Sequence, residues 1–215
     1  MIRINATGIE DVVGKAFIEL YNSKTIVSDP AVWKEDVAVF EIDYLEKPPR
    51  WFDIVDKKLK YNFPHSNYFP AFSKDRIEVE IDYWTKVIAK PDVAGIIINH
   101  LKEHPYSRRA IIDLWREEFI NNLDKGAACV TQMYFRRKGD TIEFHAHTRA
   151  NDVYNCLLMD LHIMSSLHQW ITEGLGLKLG KFIYFVDALH FYKKDIPNID
   201  TQLKHIIKSD LWQKI

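Results

Sequence analysis

Arg108 and Arg109 are placed where an anionic group could be bound. They follow Pro105 and lead directly into an apolar segment that ends at Trp115. Paired guanidinium groups at the edge of a sheet suit bidentate recognition of a phosphate. The plain alternative is a solvated pair on the surface, and the local sequence by itself favours that alternative.

A third arginine, Arg149, lies between a predicted strand and a predicted long helix. An arginine beside a helix N-terminus combines a positive charge with free backbone N–H groups, and together they form an anion site. Asp152 follows three residues later and could cap the helix. A capping turn with a surface arginine explains the local sequence equally simply and is the favoured local interpretation.

Asp160 is a carboxylate within an apolar helical segment. It comes eight residues after Asp152 and lies among leucines. A carboxylate on or beside an apolar helix face must be paired or must face a ligand, because burying an unpaired charge costs several kcal/mol. The opposite possibility, that Asp160 lies on the polar side of the helix, remains open from the local pattern.

Cys129 begins a predicted strand and is a candidate nucleophile. A free cysteine is more often a small core residue. A nucleophilic cysteine needs a cationic setting that favours its thiolate. Arg108, Arg109 and Arg149 could supply that setting if the fold brings them together.

His190 and Tyr192 stand two residues apart where a predicted strand ends. Residues at that spacing in an extended chain point to the same side. Two hydrogen-bonding rings side by side could hold a sugar hydroxyl. As isolated features, such rings are more often core groups that have found partners.

Composition limits the classes of partner. Hydrophobic residues make up 47% of the 215 residues, and this is enough apolar surface for a single domain spanning 1–215. The formal net charge is −1, so no global field would hold long nucleic acid or an anionic membrane. A small phosphorylated ligand needs only a local arginine cluster and stays possible.

The two cysteines, Cys129 and Cys156, do not form a disulfide framework, and a reducing compartment fits them best. With no signal-peptide pattern and no long apolar run, we expect a cytoplasmic protein. His145 and His147 share a strand face without any companion cluster at zinc spacing, so we expect no metal site.

The hydrophobic periodicity predicts an α+β fold. We expect long loops over 44–72. A long helix over 153–175 would be capped by Asn151 or Asp152 and ended by Gly174 and Gly176. The other predicted helices cover 9–20, 82–101 and 202–212, and the predicted strands cover 37–42, 110–115, 129–135, 141–148 and 181–188.

Taken in order, these features resemble the thymidylate synthase family, which includes the pyrimidine-nucleotide hydroxymethylases. The family carries a Pro-x-Ser-Arg-Arg segment running into a strand that ends in Trp, a strand with a nucleophilic Cys and a Gln, an Arg-Ser-x-Asp segment, a base-reading residue eight positions on, and a His-x-Tyr at the end of a later strand. The matching residues are 105–115, Cys129 with Gln132, 149–152, Asp160 and 190–192. The resemblance covers roughly Leu101 to Tyr192.

The resemblance implies a mixed sheet with a long buried helix and a homodimer that forms through the sheet and shares its active sites. Arg108 and Arg109 would then reach the phosphate of a nucleotide in the neighbouring subunit, and Arg149 the phosphate in its own. Gln132 would contact the substrate, and His190 and Tyr192 would hold the ribose hydroxyl. Asp152 would lie near the base and the folate, with 5,10-methylenetetrahydrofolate as the one-carbon donor.

Asp160 departs from the uracil-specific members in an informative way. Those enzymes have Asn at the base-reading position, which donates to O4 of uracil and accepts from N3–H. A carboxylate accepts hydrogen bonds but does not donate them. Asp160 therefore suits the exocyclic amine of cytosine and is similar to the residue in cytidylate hydroxymethylases.

The position of the nucleophile is ambiguous in sequence. Counting back from Gln132 by the family spacing gives Ala127, whereas counting back from Arg149 gives Cys129. Alternation places both positions on one strand face, and Cys129 is the preferred candidate. Ala150 also stands where the family has Ser, the family's Arg-Thr-Gly segment is not seen, and little sequence follows Tyr192.

The sequence thus predicts a transferase that modifies C5 of a pyrimidine nucleoside monophosphate, with dCMP or CMP preferred. Addition of Cys129 to C6 of the base would make C5 nucleophilic, and methylation or hydroxymethylation would follow. Two alternatives stay open. One is a nucleotide-binding homologue in which catalysis is lost or altered, and the other is a short thymidylate synthase acting on dUMP, which Asp160 opposes.

Overall fold

The computed structural model describes residues 1–25, 27–45, 47–48, 92–115 and 128–208. Most of the loop region expected over 44–72, the beginning of the helix expected over 82–101 and the end of the helix expected over 202–212 lie outside the described residues. Ala127, the second candidate position for the nucleophile, does so as well. No helix in the described part is long and apolar enough to cross a membrane.

Seven strands and four α-helices make up the described fold. The strands are β1 Ile2–Ala6, β2 Val32–Ile42, β3 Ile111–Asp113, β4 Val130–Lys138, β5 Thr141–Thr148, β6 Asn151–Asp152 and β7 Lys178–Tyr192. The helices are α1 Ile9–Asn22, α2 Val93–Glu103, α3 Leu157–Gly174 and α4 Ile196–Lys208, with a short 3-10 helix at Lys193–Asp195.

The strands form one mixed sheet in the order β1-β2-β7-β5-β4-β3, and β6 pairs with β7 beside this path. β1 with β2, β5 with β7 and β6 with β7 run parallel, and the other neighbours run antiparallel. The expected mixed sheet is therefore confirmed. Strand alternation explains its two faces, since Ile2 and Ile4 of β1 are buried while Arg3 and Asn5 are exposed.

Helix α3 is the centre of the core, which agrees with the long buried helix that the resemblance implies, although the sequence pattern predicted only one apolar side. Fifteen of its residues are buried, from Leu157 to Thr172. The helix ends as predicted: Gly174 is its last residue and Gly176 has a φ of 65°. The N–H of Leu177 donates to the carbonyl of Thr172, and this contact closes the last turn.

The start of α3 differs from the expectation. The helix begins at Leu157 rather than Val153, and Cys156 takes the cap position without a side-chain cap hydrogen bond. Asn151 and Asp152 instead form β6, which pairs with β7. The backbone N–H of Val153 bonds to the carbonyl of His190 and is therefore committed to the strand pairing. The prediction of either residue as the helix cap was wrong.

Other boundaries shift in similar ways. The β4–β5 hairpin is confirmed, with Gly139 at a φ of 63° in its turn. β7 runs well beyond the expected 181–188, and α4 begins at Ile196, before the expected 202. β3 was expected to be wholly buried, but Ile111 and Asp113 are exposed and only Ile112 of the three is buried. An edge strand has one side open to solvent, and this explains the alternation.

Aromatic rings pack between the sheet and α3. Phe144 stacks on Phe135 and on Phe182, with ring centroids 4.6 and 4.7 Å apart. His168 of α3 lies against Phe144, and its Nε2 is 2.7 Å from the carbonyl of Ile142. Burial lowers the pKa of His168 to about 4, so its ring is neutral near neutral pH and donates to that carbonyl.

This pKa predicts an acid-dependent stability. The unfolded chain binds the proton of His168 with an ordinary pKa of about 6.5. Between that value and the folded value of about 4, the unfolded state holds more protons, so stability falls as the pH drops through this window. His168 should contribute a slope of roughly 1 kcal/mol per pH unit.

His168→Gln should therefore remove part of the pH dependence, and its destabilisation relative to wild type should shrink as the pH falls. Urea unfolding at about pH 7, 6 and 5 measures both proteins. The exposed His104 provides the control, since His104→Gln should leave the slope unchanged. Parallel curves for wild type and His168→Gln would contradict the prediction.

Candidate functional site

Cys129 and Arg149 lie side by side where β4 begins and β5 ends. The N–H of Arg149 donates to the carbonyl of Cys129 at 2.9 Å, and its Nη2 lies 3.8 Å from the Sγ of Cys129. Its Nε also donates to the carbonyl of Ala128 at 3.2 Å. These backbone contacts hold the guanidinium group beside the thiol, where a positive charge stabilises the thiolate.

This location differs from the expected one. Because α3 begins only at Leu157, Arg149 does not lie at a helix N-terminus, and that prediction was wrong. The register between β4 and β5 shifts between Val130 and Gln132, which gives β4 one extra residue. The strand contacts thus place Cys129 directly opposite Arg149, in agreement with the count made from Arg149.

Asp160 is buried in the first turn of α3, with 8% of its surface exposed. The interpretation that placed it on a polar, solvated helix side was wrong. Its Oδ2 accepts a hydrogen bond from Nδ2 of Asn151 at 2.8 Å. The same Nδ2 donates to Oη of Tyr184 at 3.0 Å. A helix N-terminus also favours a negative charge.

Tyr184 contacts the side chain that also bonds to Asp160. Burial raises the pKa of Tyr184 well above its usual value, and the charge of Asp160 raises it further, so the phenol stays neutral. Five residues are called the cysteine neighbourhood below, namely Cys129, Arg149, Asn151, Asp160 and Tyr184. Arg149 contacts Cys129, and Asn151, two residues further along the chain, contacts both Asp160 and Tyr184.

Asp152 closes the turn that leads into α3. Its Oδ1 accepts from the backbone N–H groups of Tyr154 and Asn155 at 3.0 and 3.1 Å, and its Oδ2 accepts from Nδ2 of Asn155 at 2.6 Å. The carboxylate is 7% exposed. This is a capping role within the turn rather than at the helix itself, and a contact with folate or base stays a prediction.

His190 and Tyr192 lie together as their spacing predicted. Their ring centroids are 4.7 Å apart in an edge-to-face arrangement. The Nδ1–H of His190 donates to the carbonyl of Ala188 at 3.0 Å, which leaves Nε2 as the acceptor of a neutral ring. Burial raises the pKa of Tyr192, followed by the charges of Asp152 and other nearby groups that include Cys129. His190 lies opposite Asp152 in the pairing of β6 with β7, next to Asn151 of the cysteine neighbourhood.

Arg108 and Arg109 lie elsewhere, on the exposed loop between α2 and β3. Ser107 orders this loop: its Oγ is 2.7 Å from Nε2 of His100 and accepts from the N–H of Arg109 at 3.0 Å. Arg108 lines a cleft of about 520 Å³, together with Gln132 of β4. The structure thus separates these residues from the group around Cys129 and Arg149.

The cleft lies over strands β2, β7, β5 and β4, on the sheet face that points away from α3. Its lining includes Val37, Tyr134, His145 and Phe185, which alternate along their strands with core residues. Among the described residues, those that line it do not include Cys129 or Asp160. The cleft and the cysteine neighbourhood are therefore two distinct features.

Two residues of the cysteine neighbourhood escaped the sequence analysis as site residues. Asn151 was considered only as a helix cap, and Tyr184 only as part of an apolar strand. A phenol in a fully buried strand needs a hydrogen-bond partner, which is a signal that could have drawn attention to Tyr184. The partner itself depends on the pairing of β6 with β7, which no local pattern reveals.

Comparison with known proteins places these residues in a family. Residues 77–211 match the family model described as thymidylate synthase. Over 149 residues the chain is 29% identical to the thymidylate synthase of Streptococcus pyogenes serotype M5 (strain Manfredo) and 28% identical to that of serotype M12 (strain MGAS2096). These matches cover 67% of this chain and 52% of each relative. The chain therefore spans about half the length of the curated relatives it matches.

The geometry predicts that Cys129 reacts faster than Cys156. Cys129 is exposed and lies beside a guanidinium group, whereas Cys156 is only partly exposed. Iodoacetamide labelling near neutral pH, followed by peptide mass spectrometry, measures both rates in one sample. Arg149→Gln should slow the labelling of Cys129 about tenfold, because it removes the charge that stabilises the thiolate.

Arg108→Gln is the matched control, because Arg108 lines the separate cleft. This variant should label Cys129 at the wild-type rate. Equal rates for the two cysteines, or no effect of Arg149→Gln, would show that Cys129 is not activated.

Proposed function

The chain belongs to the thymidylate synthase family, and we propose that it transfers a one-carbon unit to C5 of a pyrimidine nucleoside 5'-monophosphate, with dCMP or CMP as the preferred substrate. Such an activity is a step of nucleotide biosynthesis. The observation that carries the proposal is the geometry of two groups: Asp160 is a buried acceptor held by Asn151, and Cys129 is an exposed thiol beside the guanidinium group of Arg149.

Hydrogen-bond chemistry supports the choice of cytosine. Cytosine presents an amine donor at C4, which a carboxylate can accept. Uracil presents an oxygen at that position, so Asp160 would face a second acceptor. A buried polar group left without a partner costs about 1–3 kcal/mol, which corresponds to roughly a tenfold to hundredfold difference in affinity.

The proposed chemistry begins at Cys129. Its thiolate, stabilised by Arg149, forms a bond to C6 of the base, and the electrons of the C5–C6 double bond move so that C5 becomes nucleophilic. C5 then forms a bond to the one-carbon unit, or to a proton of water in the exchange reaction. Loss of the original C5 proton to a base leaves its electron pair at C5, and this pair re-forms the C5–C6 double bond as the C6–S bond breaks and the thiolate leaves. Asp160 holds the base in register, and His190 and Tyr192 would bind the ribose hydroxyl.

The cofactor implied by the family is 5,10-methylenetetrahydrofolate, which supplies the one-carbon unit when it is bound. Asp152 is the residue expected nearest to it. A carboxylate oxygen has more than one lone pair, so Oδ2 of Asp152 can accept from Asn155 and from a further N–H donor. A pterin ring carries such donors, and the acceptor chemistry at Asp152 therefore fits the cofactor.

The open sheet face supports a homodimer with shared sites. Large hydrophobic side chains on or beside this face are 40–45% exposed, namely Val37, Ile111 and Phe185. Arg108 lies at the same cleft. A second copy packed on this face would cover the apolar side chains and would bring Arg108 and Arg109 toward the phosphate bound at Arg149 of its partner.

One observation favours a second candidate function, a nucleotide-binding protein in which catalysis is altered. Gln132 lies in the cleft with Arg108, away from Cys129, although the family's Cys and Gln act on one substrate. A third candidate, a short thymidylate synthase acting on dUMP, requires a donor at the base-reading position. Asp160 opposes it for the hydrogen-bonding reason given above.

Substrate choice is tested by calorimetric titration. The protein should bind dCMP about tenfold or more tightly than dUMP, because Asp160 accepts from the amine of cytosine and repels O4 of uracil. Asp160→Asn should shift the preference toward dUMP, since the amide can donate to O4. Equal or tighter binding of dUMP by the wild-type protein would remove the case for cytosine.

Catalysis is tested by release of tritium from 5-tritiated dCMP, CMP and dUMP, each with and without methylenetetrahydrofolate. Addition of Cys129 to C6 labilises the hydrogen at C5, so release should occur with the cytidine nucleotides. Cys129→Ser should abolish release and leave nucleotide binding nearly intact, because the charged and ring side chains that bind the nucleotide remain. Cys156→Ser is the matched control and should release tritium normally.

The same assay separates the two candidate functions. A wild-type protein that binds dCMP but releases no tritium is the binding protein rather than the enzyme. Release that persists in Cys129→Ser would identify a different nucleophile.

A further inference from the structure

Asn151 lies between two buried polar side chains and contacts both. Its Nδ2 donates to Oδ2 of Asp160 at 2.8 Å and to Oη of Tyr184 at 3.0 Å. Asn151 is 3% exposed, and Tyr184 is fully buried. The pairing of β6 with β7 fixes its backbone, because Asn151 lies opposite Leu189. The side-chain amide of Asn151 is therefore fixed on β6 and directed toward α3.

The orientation of this amide is determined by Asp160. Both N–H groups of Nδ2 are used, one for each partner. Rotating the amide by half a turn would place its oxygen against the carboxylate, where two acceptors repel each other. In the observed orientation Oδ1 is buried and has no hydrogen-bond partner among the described residues. An unsatisfied buried carbonyl is costly and calls for a functional explanation.

Tyr184 accepts from the same amide, because its Oη receives a hydrogen bond from Nδ2 of Asn151 at 3.0 Å. One amide therefore bridges the phenol and the carboxylate. The phenol helps to fix the direction in which Asn151 donates to Oδ2 of Asp160.

We propose that Asn151 is a positioning residue for base selection, which holds the carboxylate of Asp160 in a fixed orientation as a hydrogen-bond acceptor toward the base. This inference rests on the proposed function, in which Asp160 reads the pyrimidine. Without this donor, Oδ2 of Asp160 loses a hydrogen bond that fixes its direction, and a less precisely held acceptor discriminates poorly between an amine and a carbonyl.

The sharpest variant is Asn151→Asp, which keeps the shape of the side chain and replaces the donor with an acceptor. Asn151→Ser is the second variant, because a hydroxyl retains one donor in a smaller side chain and avoids placing two carboxylates together. Asn198→Asp is the matched control, since it makes the same change of an amide to a carboxylate at an exposed position of α4. Thermal unfolding followed by circular dichroism establishes that each variant is folded.

The measurement is the ratio of the dissociation constants for dUMP and dCMP. Asn151→Asp should lower this ratio about tenfold, Asn151→Ser should lower it less, and Asn198→Asp should keep the wild-type value. In an Asp160→Asn background the Asn151 variants should leave the ratio unchanged, because the group they position is absent. A role in stability alone would weaken both nucleotides equally and leave the ratio constant.

The outcomes separate this inference from the proposed function. If the wild-type protein prefers dCMP and folded Asn151 variants keep that preference, the positioning role is overturned and the proposed function stands. If Asn151→Asp does not fold, the result with Asn151→Ser decides. An equal effect of the Asn151 variants with and without Asp160 also overturns the proposal. A wild-type protein without preference for dCMP overturns the choice of base and the positioning role together.

Discussion

The short parallel pairing of β6 with β7 determines the geometry of the site. Two residues form it, with Asn151 opposite Leu189 and Asp152 opposite His190. Because these residues are held on the sheet, the chain cannot enter the helix until Leu157. Asp160 consequently falls in the first helical turn, within reach of Asn151. A helix starting earlier would have used Asn151 or Asp152 as a cap and would have separated the base-reading carboxylate from its donor.

Burial of α3 on every side restricts which polar groups the helix can carry. Its hydroxyl side chains satisfy themselves locally, as when Ser166 and Thr172 donate to the carbonyls of His162 and His168. A carboxylate has no hydrogen to donate, so it cannot bond to a backbone carbonyl of its own helix in this way. Asp160 is tolerated because it lies at the positive end of the helix and receives an N–H from the sheet. The position proposed to read the base is thus also one where the fold stabilises a buried negative charge.

Local patterns predicted much of this fold, and long-range pairing explains the rest. Alternation identified the β4–β5 hairpin, and Gly176 marked the end of α3, because turns and helix ends depend on neighbouring residues. The prediction of Asn151 as a helix cap was wrong because Asn151 pairs with β7, which lies some forty residues further along the chain. The register shift between Val130 and Gln132 also has no sequence signature, and it lies between the two residues used to count toward the nucleophile. Which side chains come together thus depends on strand pairing, and local patterns do not contain that information.

In the proposed function, the sheet would divide the tasks of nucleotide recognition between its two sides. Arg149 and Asp160 are linked through β6, so a single chain would carry a cation for the phosphate and an acceptor for the base. Arg108 opens instead onto the cleft of the uncovered face. An arginine in the loop on that face can contact a nucleotide bound at Cys129 only if the arginine belongs to a second copy of the chain. Base selection should therefore be a property of the single chain, whereas full phosphate binding requires the proposed dimer. Dissociation of the subunits should weaken phosphate binding and leave base selection unchanged.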